Sequence, residues 1–432
     1  MSELPTGWIE VPIGMVCKVV GGSTPRTNVA EYWDGDIPWV TPDDLSRDRS
    51  QYVGGGRRCL TEAGYSSCST QLIPAGSVLY TSRAPIGYVA IAKQAVCTNQ
   101  GFKSFVPPPG LSSRYLYWYL RWATPMIRDL GSGTTFAEIS GKVAKTIPLR
   151  LPPSSEQERI VEAVEEQFSR LDTAEQLLRS ALQRCDVLYR SFMRTLEAWP
   201  LVPLAALLEK PLANGRSVPT AENGSGIPVL RLTALRNGVV DLSERKLGVW
   251  GRREAERYIV QAGDFLIARG NGSLALVGRG GLVTADPDRV AYPDTMIRAR
   301  VDQQQMSPEF LRWVWSSSTV RRQIESVAKT TAGIYKVNQQ DLGGVAVPVP
   351  PPEVQDTIVG ELGRQQSILQ ALTQSIHQAL ARSNQLRRSI LEHAFAGELV
   401  PQDPDDEPAA ELLERIASDH RTSTTRRRRQ QA

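Results

Sequence analysis

Between Ser154 and Pro200 the chain has neither Gly nor Pro, and apolar residues recur every seven positions at Val164, Leu171, Leu178, Cys185 and Phe192. A second stripe, Phe168, Leu182, Tyr189 and Leu196, runs beside the first and is interrupted by Glu175. That spacing predicts one continuous helix with a coiled-coil seam. About 43 residues at 1.5 Å per residue give roughly 65 Å. Pro152-Pro153 ends what precedes it, Ser154 or Ser155 is a candidate N-cap, and Glu156 and Glu158 suit the positive helix start. A shift of 198 residues reproduces the stripe at Leu362, Leu369, Ile376, Ser383 and Ile390, flanked by Ile358, Leu372, Ala379 and Leu386. Helices this long cannot bury their stripes inside a small domain, so the two are expected to cover each other as an antiparallel pair.

The rest of the chain also repeats. Trp8 with Val11-Pro12-Ile13 returns as Trp199 with Val202-Pro203-Leu204, and Ile147, Leu149 and Leu151-Pro152-Pro153 return as Val345, Val347 and Val349-Pro350-Pro351. The shift drifts between 187 and 191 early on and settles at 198 from Gly133 onward, as loop insertions followed by a rigid element would produce. Residues 1–153 and 200–351 read as mixed α/β modules with short strands and Gly/Pro punctuation. Expected strands are Ser77–Tyr80, Tyr88–Ala92 and Lys103–Val106, then Asp264–Ala268, Leu274–Gly278 and Met296–Arg300. Each module has a late aromatic helix, Ser113–Leu120 and Pro308–Trp315, whose rings belong to the core rather than to a base-stacking platform. The fold class is therefore α+β, with residues 1–153 and 200–351 as modules, 154–199 and 352–397 as spacer helices, and 398–432 as a short helix with a disordered tail.

Charge sharpens this division. Net charge is +4 overall, but 1–153 carries 15 basic and 11 acidic residues and 200–351 carries 19 and 14, whereas 154–199 carries 6 and 9. Basic modules joined by less basic segments suit a polyanionic partner. The arginine run Arg426–Arg429 reads as a solvated terminus. Five cysteines without a CxxC pair (Cys17, Cys59, Cys68, Cys97 and Cys185) suit reduced thiols, and with no signal-like or membrane-length apolar run the expected location is cytoplasmic. The three histidines all lie at or beyond His377, which removes histidine chemistry from the modules. There is no GxxxxGK[ST] loop, no strand followed by GxGxxG, no HExxH, and no Asn-Pro-Pro-Tyr-like tetrapeptide. Asp43-Asp44, without a nearby Lys, reads as a helix cap or solvated turn rather than a metal site.

Three strings then carry a resemblance: Gly133–Ser140 (GTTFAEIS), Ile147–Gln157 (IPLRLPPSSEQ) and Leu386–Leu399 (LRRSILEHAFAGEL). With the duplication and the order of parts, the chain resembles the specificity subunit of type I restriction–modification enzymes over residues 1 to about 400. The second copy is looser, with Val354 in the place of Glu156. The resemblance implies a non-catalytic subunit whose two target recognition domains each read half of a bipartite, asymmetric double-stranded DNA target. The helices would set the spacer and dock two methyltransferase subunits, with restriction subunits as further partners. No cofactor is expected on this chain; S-adenosylmethionine, ATP and Mg would sit on the partners. A fused methyltransferase or nuclease acting alone, and a protein-binding scaffold, are the alternatives. By type and placement, Ser82, Arg83, Arg269 and Asn271 are candidate base contacts, Lys103 and Lys336 candidate phosphate contacts, and Gly131–Thr135 a loop able to meet phosphates through backbone N–H groups.

Overall fold

The computed structural model describes residues 4–83, 85–131, 137–221, 224–251, 253–331 and 333–418. They form two compact units, one of residues up to Leu177 and from Ala379 onward, the other of Leu178–Gln378. Each unit thus draws on one module and on part of both long helices, Ser154–Thr195 and Pro352–Ala396. No helix among the described residues is long and apolar enough to cross a membrane.

In the first unit a five-stranded sheet runs in the order Lys18–Gly21, Lys103–Val106, Val78–Tyr80, Val89–Ala92, Tyr52–Val53. Its pairs are antiparallel except the last. Alongside it lies a three-stranded sheet of Arg58–Leu60, Trp33–Val40 and Cys97–Thr98. The aromatic helix, Ser113–Asp129, is capped by the Ser112 hydroxyl and buries Tyr115, Tyr117, Trp118 and Tyr119. Tyr115 and Tyr119 donate their hydroxyls to Arg150 O and Pro148 O, both at 2.7 Å, so these rings are core, as their helical spacing predicts. Ile9–Pro12 pairs antiparallel with Pro148–Leu151, closing the module's two ends on each other.

The second unit repeats the plan with variations. Leu201–Pro203 pairs with Ala346–Pro348 as the closing ribbon, and a six-stranded sheet is ordered Leu208–Asn214, Met296–Val301, Phe265–Ala268, Gly280–Leu282, Val239–Val240, Leu235–Arg236. The expected strand at Leu274–Gly278 is instead a turn. Leu276 and Val277 both donate backbone N–H to Ser273 O, and Gly278 has φ +68°, a left-handed conformation that breaks an extended run before Gly280–Leu282 begins.

The seam of the long helices holds within each unit. Val164, Cys185, Leu362, Ile376 and Ser383 are buried, and Leu171, Leu178, Phe192, Leu369 and Ile390 half-buried. In the first unit Phe168, Asp172 and Glu175 face Arg387 and Ser383, so the helices run antiparallel there. The flanking stripe is less covered than expected: Tyr189, Leu372 and Leu386 are exposed, since a two-helix seam covers a narrower arc than two adjacent stripes. Neither Ser154 nor Ser155 caps its helix. Ser154 donates to Gly110 O and Ser155 to Asp406, and the first helical N–H, from Gln157, goes to Pro153 O.

Beyond Gly397 the expected short helix is present, and it docks. Gly397, at φ +77°, ends the second helix, and the chain packs back onto the first unit. Ala409, Leu412 and Ile416, on a helix over 409–418, enter that unit's core; Gln402 donates to Glu156 at 2.7 Å, and Asp406 pairs with Arg159 at 2.7 Å. Sequence alone hides this docking, because the cation that holds Asp406, Arg159, lies 247 positions away. Residues 419–432, with the arginine run, lie outside the described residues.

Candidate nucleic-acid interface

In each unit the chain leaves a buried central strand and meets a segment that returns just before a short capped helix. In the first, Val78–Tyr80 leads to Ser82, whose backbone N–H goes to Gly101 O at 2.8 Å and whose carbonyl accepts from Ile139 N at 2.9 Å. In the second, Phe265–Ala268 leads to Arg269, whose N–H goes to Thr295 O at 2.8 Å and whose carbonyl accepts from Val337 N at 3.0 Å. Ser82 and Arg269 are therefore the same position of the repeat. Ser140 caps Gly141–Thr146 and Asn338 caps Gln339–Gly343 directly after the returning segments.

Side chains at these matched positions differ. Ser82 is fully buried, its hydroxyl donated to Gly101 O at 3.2 Å, so it has no surface with which to touch a base and drops out of the candidate contacts. Arg83 pairs across to Glu138 as an isolated bridge, with its guanidinium 3.8 Å from the carboxylate and its side chain 37% exposed. Lys103 Nζ reaches the other oxygen of Glu138 at 3.9 Å. Burial pushes the Lys103 pKa down, Glu138 opposes that shift and Arg83 adds to it. With its side chain only 14% exposed, Lys103 offers little free surface and is paired with Glu138. Glu138 escaped the sequence search, which favoured basic and amide side chains; its place in the GTTFAEIS string was the available signal. Of the loop Gly131–Thr135, residues 132–135 lie outside the described residues.

In the second unit Arg269, Asn271 and Lys336 do come together. Gly270–Asn271 pairs with Ile334–Lys336, which pairs in turn with Lys329–Thr331, making a small three-stranded sheet. Arg269 and Asn271 are half-buried and Lys336 is exposed. Asn271 accepts the Ser273 N–H on Oδ1 at 3.0 Å, which fixes the side chain and leaves its amide donors for another partner. Gly270 opposite Lys336 occupies the ladder position that Arg83 and Glu138 hold in the first unit.

One buried residue in each unit ties module to helix. Gln157 Oε1 accepts the Ser112 N–H at 2.8 Å, and its Nε2 donates to Gly110 O and Pro152 O, both at 3.2 Å. Gln355 does the same with Ser307 N (2.7 Å), Gln305 O (2.8 Å) and Pro350 O (2.9 Å). Glu165 adds a second tie in the first unit, accepting from Gln51, Arg114 and Trp118 at 3.1–3.2 Å. Among the described residues no group of three or more His, Cys, Asp or Glu is placed to hold a metal, and the five cysteines are free thiols. Burial pushes Cys17 up to about 12 and Cys97 to about 11, as inert structural thiols behave.

Residues 5–182 match the family model described as the type I restriction modification DNA specificity domain. The chain is 42% identical over 162 residues to the type I restriction enzyme MjaIX specificity subunit of Methanocaldococcus jannaschii, a match spanning 37% of this chain and 38% of that one. To the EcoKI specificity subunit of Escherichia coli K12 it is 26% identical, over 98% of this chain and 97% of the relative. A solved structure described as the basis of complex assembly and conformational transition of the type I R-M system has the same fold, at TM-score 0.72 and 19% identity, covering 92% of this chain and all of that one.

Proposed function

The chain belongs to the specificity subunits of type I restriction–modification systems, and from that premise we propose that it is the DNA-reading, non-catalytic subunit of such a complex. Each module reads one half of a bipartite, asymmetric target in double-stranded DNA. The observation that carries this reading is the pair of matched positions with unlike chemistry: one backbone ladder presents Arg83 and Glu138 in the first unit and Gly270 and Lys336 in the second. Like scaffolds with unlike side chains are what two different half-sites require, since guanine, adenine and cytosine edges call for different donors and acceptors. The repeated helices, alike in both copies, are docking surfaces for two methyltransferase subunits, and restriction subunits complete the assembly. S-adenosylmethionine, ATP and Mg belong to those partners, and the compartment is the cytoplasm.

In this reading the long helices set the number of unread base pairs between half-sites. The test is to remove one heptad from each helix where the two oppose each other. The Glu175–Ser383 contact makes Leu171–Leu177 and Ala381–Arg387 such a pair, and both apolar stripes stay in register. Seven residues shorten a helix by about 10.5 Å, close to 3 base pairs of duplex. Methylation mapping should then show both half-sites unchanged with a shorter spacer between them. A folded, methylation-competent complex that keeps its original spacer would sink the role given to the helices.

A further inference from the structure

In the small sheet of the second unit, Lys336 stands between Gly270 on one neighbouring strand and Lys329 on the other. Both lysines are exposed. Like charges directly opposite each other in an antiparallel pair are destabilising, and among the described residues no ion pair engages either one. Ile334, two positions from Lys336 and so on the same face, is 44% exposed. Lys336 and Ile334 both lie over Gly270, where a β-carbon would come within 3.4 Å of Lys336 Cγ and 3.8 Å of Ile334 Cγ2. Tyr335, on the opposite face, packs against the unit's core and anchors the sheet. A single exposed isoleucine is ordinary on a protein surface. What sets this one apart is its place beside an opposed lysine pair, which the sheet holds together at a cost in stability.

We propose that this face grips the sugar–phosphate backbone of duplex DNA, with Lys329 and Lys336 each at a phosphate and Ile334 against the intervening deoxyribose. The inference rests on the DNA-reading role above and deepens it by assigning a sequence-independent hold to one module. A polyanion removes the repulsion between the lysines, so the arrangement that weakens the free sheet strengthens the bound one. In the first unit the corresponding ladder pairs Arg83 with Glu138, whose charges cancel, so the grip belongs to the second unit.

The test compares the wild-type complex with K329Q/K336Q and with I334S, each titrated with a duplex carrying the methylated target and with a random duplex of equal length over a range of NaCl. For K329Q/K336Q the slope of log affinity against log salt should become shallower by about 1.8. The fold-loss should be equal on both duplexes, and the melting temperature unchanged or raised. I334S should weaken both duplexes with the slope unchanged. A folded K329Q/K336Q complex with the wild-type slope, or a loss confined to the target duplex, would overturn the proposal while leaving the DNA-reading role intact. Wild-type complex with no preference for the target duplex would overturn that role itself.

Discussion

Ser383 donates its hydroxyl to Glu175 at 2.7 Å, so the polar residue that interrupts each long helical stripe faces the other. Arg387 closes the group, with Nη2 3.2 Å from Glu175 and 2.7 Å from Asp172 and its guanidinium 5.0 Å from the Phe168 ring centroid. Ser383 alone in an apolar seam would be a buried polar group without a partner. Together they fix one register for two helices whose seven-residue repeats would tolerate several.

Ser383→Ala should therefore cost about 1 kcal/mol, the net worth of one such hydrogen bond. Because the two residues share one network, Glu175→Ala with Ser383→Ala should cost less than the sum of the single changes, by about 0.5–1 kcal/mol. A double-mutant cycle by thermal denaturation checks this. Strict additivity would mean that the seam, not the polar pair, sets the register.

The glutamines at the helix starts give a prediction that spans the repeat. Gln157→Ala removes the acceptor from the Ser112 N–H and the donor from two carbonyls, and Gln355→Ala does the same around Ser307. Unpaired buried groups of this kind cost about 1–3 kcal/mol each. In urea titrations followed by hydrogen exchange, each variant should destabilise its own unit by a similar amount.

The C-terminal segment gives a pH dependence. The hydrogen bond from Arg159, with a smaller contribution from Ser155, holds the Asp406 carboxyl below the usual aspartate range. A lowered carboxyl pKa stabilises the folded state above the unfolded value, and that contribution is lost as pH falls through the folded one. Residues 398–418 should accordingly loosen from the first unit in acid before the unit unfolds, seen as faster amide exchange over 409–418. Asp406→Asn should show loosened exchange already at neutral pH, with little further change on acidification.

What the sequence made legible was what periodicity and spacing encode. The long helices, the aromatic core helices and most central strands follow from period-seven, helical and alternating patterns. The turn at Leu274–Gly278 did not, because its apolar residues match a strand while Ser273 and Gly278 decide the backbone. Nor did the docking of residues 398–418, whose partners Arg159 and Glu156 are brought to them only by the fold. Residue type alone does not disclose that Ser82 is buried and bonded to Gly101, or that Lys103 is engaged by Glu138, since both partners come from other segments. Arg269, Asn271 and Lys336 lie together because they sit beside a strand whose end the repeat marks.

Arg269 offers the sharpest test of how the repeat is used. Its backbone is held by Thr295 and Val337 as that of Ser82 is held by Gly101 and Ile139, so the position is fixed in both units while only the second carries a long cationic side chain there. If it reads a guanine edge, Arg269→Ala should weaken binding to the target duplex by about 1–3 kcal/mol and relax one position of one half-site. Ser82→Ala, which removes a buried hydroxyl, should alter stability and leave both half-sites as they were. Methylation mapping in cells carrying each variant separates the outcomes. Loss of equal size on random DNA would make Arg269 a phosphate contact, and unchanged affinity would place it outside the interface, shifting recognition in that unit onto Asn271 and the neighbouring hairpin.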